Sequence, residues 1–175
     1  MGIRDSEIER LIHYAKSLGV KVTIYNKTNR DASAEWAIDG SQINIYAGPG
    51  TSKTTVILNL LHELGHHCWW IWVKDRQPDL KFEEALTREN MFMVETDKPT
   101  PKDLRKKIYD VELAGTAYWE IIAKEINIKL PLWKIHAAME VDMWMYEVYY
   151  ETGNFPKGKF KRDHVKEVKR KYRPK

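Results

Sequence analysis

Residues 62–67 read His-Glu-Leu-Gly-His-His. Within them His62, Glu63 and His66 form H-E-x-x-H. Four-residue spacing on an α-helix stacks both imidazoles on one face, a turn apart, where they can reach one metal ion. Zn²⁺ suits such donors, binding imidazole nitrogen at ~2.0–2.1 Å and leaving a position for water at a catalytic site. Glu63 follows His62 directly and is expected beside that water rather than on the metal. A carboxylate so placed can take a proton from activated water and return it to a leaving amine. The chemistry implied is metal-assisted hydrolysis of an amide.

The setting strengthens this reading. The three residues at this spacing arise by chance in fewer than about one in a hundred chains of this size. Val56, Ile57, Leu58, Leu60, Leu61 and Leu64 make the segment an apolar helix that belongs in a core. Histidines and a glutamate buried there need something to satisfy them. The helix is expected to start at Thr51 or Ser52 and to run to about Trp72.

The elements that must position this helix are legible upstream. Ser6-Glu7-Ile8-Glu9 is a capping box, followed by Ile8, Leu11, Ile12, Ala15 and Leu18 at helical spacing, with Gly19 as the stop. Residues 20–25, 34–38 and 42–46 alternate or are β-branched and predict three strands. Ile43 to Tyr46, the last strand before the metal helix, is the candidate edge strand for aligning an extended substrate. Downstream everything reads as helix. One helix is expected over 81–95. A long one is expected from Thr100 (N-cap) and Pro101 to about Asn127, and another from Pro131 to Gly153. The fold class is therefore α+β: a helix, a small three-stranded sheet and the H-E-x-x-H helix, then an all-helical C-terminal half.

Two histidines do not complete a catalytic zinc site, so a third protein ligand is expected. A metzincin would carry Gly and His where this chain has Trp69 and Trp72, and no aspzincin Gly-Thr-x-x-Asp follows. These tryptophans read as packing. A downstream glutamate remains. Glu112 is the first choice, lying on the flank of the stripe Leu104, Ile108, Val111, Gly115, Tyr118 and Ile122. Ala114 and Gly115 beside it are small enough for close helix approach. Glu84 is the alternative. Tyr109, Tyr118, His136 and Tyr146 are candidates for stabilising a transition state, and His67 for that role or for support behind the ligands. His136 and Glu140, four apart, could instead bond one another. Asp142 and Asp110 are further candidates for orienting a ligating histidine.

His62-Glu63-Leu64-Gly65-His66, preceded by a helix and a small sheet, resembles the minimal glutamate zincins of the ImmA/IrrE type. Glu112-Leu113-Ala114-Gly115 is similar to that group's E-x-x-A helix, with Gly115 in the alanine's place. The Trp/Tyr-rich helix beyond is also similar to small phage and prophage zincin-like proteins. The resemblance covers about residues 5–150. It implies a zincin fold, one Zn²⁺ per chain on His62, His66 and Glu112, Glu63 as base, and hydrolysis of a protein or peptide substrate. A non-catalytic binding module on the same fold is the alternative.

Composition bounds the rest. The 175 residues, 43% hydrophobic, suit one domain with an appendage, here 1–153 and 154–175. The single cysteine, Cys68, excludes an internal disulfide and a Cys-based zinc ribbon. With no apolar leader and no membrane-length run, the expected place is the cytoplasm, or the host cytoplasm for a phage-encoded chain. Residues 157–175 hold ten Lys or Arg against Asp163 and Glu167, a net +8, which leaves −4 for 1–156 out of the total +4. Lys161, Arg162, Lys169, Arg170 and Lys171 in this basic tail could bind nucleic acid or an acidic partner.

Overall fold

A computed structural model of the chain describes residues 6–29, 33–37, 40–74, 76 and 100–174. Helix α1, Ser6–Ser17, turns Ile8, Leu11 and Ala15 inward. Glu7 and Glu9 sit in its first turn and Lys16 in its last, each complementing the helix dipole. Gly19 ends it with a left-handed φ of +81° and donates to the Lys16 carbonyl at 3.0 Å, as the expected stop residue should.

Strands β1 (Lys21–Tyr25), β2 (Ala34–Trp36) and β3 (Gln42–Tyr46) form one sheet in the order β1-β3-β2. β1 lies parallel to β3, and β2 antiparallel to it. The expectation of an edge strand at Ile43 to Tyr46 is thus overturned: β3 is central, and β1 and β2 are its neighbours. Alternation had identified the buried face, since Ile43 and Ile45 are fully enclosed. It carries no information about which strands take up the two hydrogen-bonding edges.

Helix α2, Lys53–Lys74, is the axis of the molecule. The Ser52 hydroxyl accepts from the Thr55 N–H at 3.1 Å and caps it. Val56, Leu60, Leu61 and Leu64 have no exposed surface, and each contributes roughly 1.5–3 kcal/mol by leaving water. The helix packs on α1, β2 and β3, and on its other side against α3 (Lys102–Thr116) and α4 (Tyr118–Glu125). One continuous helix was expected over that last stretch. It is interrupted at Ala117, two residues after Gly115, whose helix propensity is low. Thr100 does not cap α3. Its hydroxyl instead accepts from Tyr149 at 2.9 Å, tying the start of α3 to α5 (Leu132–Thr152). Gly153, at φ +76°, ends α5 as its position predicts.

The basic stretch is folded. Helix α6, Gly158–Tyr172, lies along α5. Val168 is buried, His164 stacks on Trp144 at 3.9 Å, and Glu140 receives Lys171 at 2.6 Å and Tyr172 at 2.7 Å. Among the described residues no helix is long and apolar enough to cross a membrane. The helix expected over 81–95, with Glu84 on it, lies outside the described residues.

Candidate metal centre

The site begins with α2. His62 and His66, one turn apart, bring their Nε2 atoms to 3.2 Å from each other. α3 supplies the third donor. Glu112 Oε2 lies 3.2 Å from His66 Nε2 and 3.5 Å from His62 Nε2. Glu112 can come this close because two glycines meet where the helices cross. A Cβ on Gly65 would fall 2.2 Å from the Gly115 carbonyl oxygen, and one on Gly115 would fall 2.6 Å from His66 Nδ1. Small residues near Glu112 were expected to permit this approach, and glycine rather than alanine at 115 follows from the room the His66 ring takes.

These distances test the fit of a metal. Donors bonded tetrahedrally at ~2.0–2.1 Å stand about 3.3 Å apart. The three observed separations bracket that value. His62, His66 and Glu112 form the group among the described residues that could hold a metal ion. The charge fits as well. Glu63 and Glu112 are buried, and Asp142 on α5 comes within 3.3 Å of His62 Nδ1. Burial by itself would lower the His62 pKa. The Asp142 carboxylate, with Glu63 and Glu112 behind it, outweighs burial and pushes it up to about 10. The same concentration of carboxylates favours a divalent cation among them.

Glu63 follows on the same turn, with Oε1 4.0 Å from His62 Nε2 and little exposed surface. It stands beside the donors without being one of them, as a base for water should. Indoles wall the histidines. Trp119 meets His62 edge-on at 5.5 Å, and Trp36 lies parallel to His66 at 6.4 Å.

Helix α5 completes the centre from a single face. Asp142 and Tyr146 are four apart; the first reaches His62 and the second stands in the field of Glu112. Burial, then the fields of Glu112, Asp142 and Glu63, raise the Tyr146 pKa well above its usual value, so the phenol keeps its proton. This D-x-x-x-Y spacing is the signal that would have separated Tyr146 from the other aromatic candidates. Asp142→Asn removes the charge beside His62 and is expected to weaken metal binding about 10–100-fold. Competition against a fluorescent chelator measures it.

The remaining candidates lie elsewhere. His67 turns its Nε2 toward the Leu18 carbonyl oxygen, 3.4 Å away, and its ring against Trp36. Its position 100° round the helix from His66 makes this unavoidable. Tyr109 faces Tyr150, with Lys106 over its ring. Tyr118 is shifted upward by burial and then by Cys68, not by the acids of the centre. His136 bonds Glu120 at 2.8 Å rather than Glu140, because Glu140 is engaged by α6. Asp110 pairs with Lys106 at the surface. Trp69 and Trp72 stack on each other at 5.2 Å, and Trp72 is partly exposed. Trp70 is the one of the three that packs against the core, edge-on to Trp36. Comparisons of the chain with protein-family models, with curated proteins and with solved structures give no match.

Proposed function

We propose that this protein is a zinc-dependent metallopeptidase of the glutamate-zincin kind, with one Zn²⁺ per chain held by His62, His66 and Glu112. The observation that carries the reading is the meeting of those three donors at tetrahedral separations with Glu63 beside them. Bound zinc supplies Lewis acidity, acidifying water and polarising a carbonyl. Glu63 accepts the proton of the attacking water and passes it to the leaving amine. Asp142 fixes the orientation of His62. Tyr146, kept protonated, donates to the oxyanion as the carbonyl becomes tetrahedral. The substrate is a protein or peptide. A reducing compartment such as the cytoplasm suits a chain whose one cysteine, Cys68, is a thiol.

Metal analysis of the purified protein, followed by cleavage profiling on a peptide library, tests this. One zinc per chain and fragments carrying new amine termini are the expected results. A protein that binds no zinc overturns the reading, and one that binds zinc but cuts nothing is a binding module instead. Tyr146→Phe is expected to lower kcat about 10²-fold with KM nearly unchanged, because the phenol's hydrogen bond strengthens only as charge develops. An equal fall in metal content would instead assign Tyr146 to holding Glu112.

A further inference from the structure

Helix α6 carries charge that the metal centre does not use. Lys159 pairs with Asp163, and Lys171 with Glu140. Arg162, Lys166, Lys169, Arg170 and Arg173 are exposed and have no acidic partner among the described residues. At 100° per residue these five fall within an arc of about 100°, and the row is about 16 Å long. A duplex carries one phosphate charge per ~1.7 Å of its axis, so a row of this length can meet several phosphates.

The opposite side of α6 is already occupied. Val168 is buried, His164 lies on Trp144, and Tyr172 is bonded to Glu140. A helix that binds a membrane surface needs its apolar side free for the lipid. This one has spent that side on α5 and presents a row of cations, with exposed Asp163 and Glu167 at its edge and an exposed Phe160 beyond.

Placement adds a second observation. Glu140 and Trp144 turn toward α6, whereas Asp142 and Tyr146 turn toward the metal centre. Two residues are 200° apart on a helix, so the two functions lie on opposite sides of α5. A polyanion on α6 leaves the hydrolytic site open. It also stays clear of the acids there, in a body whose residues 1–156 sum to −4.

We propose that the exposed face of α6 is a binding site for the phosphate backbone of duplex nucleic acid, holding the protein there with its metal centre free. This site stands independently of the peptidase reading. The test is fluorescence anisotropy of the full-length protein with a mixed-sequence 20-base-pair DNA duplex between 50 and 200 mM NaCl. A plot of log affinity against log salt is expected to have a slope of about −3 to −5. The combined variant Arg162→Gln, Lys166→Gln, Lys169→Gln, Arg170→Gln and Arg173→Gln is expected to lose binding at least 10²-fold and to flatten the slope to near zero. If that variant misfolds by circular dichroism, Arg162→Gln with Arg170→Gln, expected to lose about 10-fold and about two units of slope, decides. Absence of binding at 50 mM NaCl overturns the proposal. So does binding that the substitutions leave unchanged, or stronger binding to phosphatidylserine vesicles than to DNA.

Discussion

Glu63→Gln is expected to lower peptide cleavage about 10²–10⁴-fold while zinc content stays near one per chain. The amide keeps the shape of the carboxylate and cannot take the proton. Glu63 is buried beside His62 and outside the donor triad, so its loss leaves His62, His66 and Glu112 in place. The pairing of the two readouts is what makes the result specific. A structural role would lower folding and zinc together, and a spectator would change neither. Activity that survives the substitution removes Glu63 as the base. Single-turnover cleavage of a peptide found by library profiling, with metal analysis of the same preparation, measures both.

Glu112→Ala is expected to strip the centre. It removes one donor of three, and the two imidazoles left behind cannot close a tetrahedron. The loss in affinity should exceed the ~10–100-fold expected from losing a partner behind a ligand. Thermal unfolding gives a second readout. Zinc at a hundred times its Kd stabilises a folded protein by about 2.7 kcal/mol, and that upward shift in Tm should vanish in the variant. Glu84→Ala, made alongside, is expected to keep both zinc and the shift. The reverse pattern moves the third ligand to Glu84. The two experiments separate cleanly: one keeps the metal and loses chemistry, the other loses both.

The docking of α6 changes what the basic stretch means. As a solvated tail, its cations would be dispersed and would lose conformational entropy when ordered on a partner. On α5 they are already aligned in one row, held by the Trp144–His164 stack and by Glu140. That ordering places the cations for phosphate contact before any partner arrives.

Features that depend on local geometry were already legible in the order of residues. The meeting of His62 and His66, the stand-off of Glu63 and the exclusion of His67 all follow from 3.6 residues per turn. The buried face of β3, the Gly19 and Gly153 stops and the Ser52 cap follow from periodicity and backbone chemistry in the same way. Glu112 was legible because an acid on the edge of an apolar stripe, next to small residues, calls for a partner. The remainder came from packing between distant elements. Strand order, the interruption at Ala117, the diversion of Thr100 to Tyr149 and the placing of Tyr146, rather than Tyr109, Tyr118 or His136, near Glu112 and Asp142 all depend on which helices cross and at what distance. That distance is set by the contact of Gly65 with Gly115, two residues fifty positions apart, and no property of either neighbourhood alone contains it.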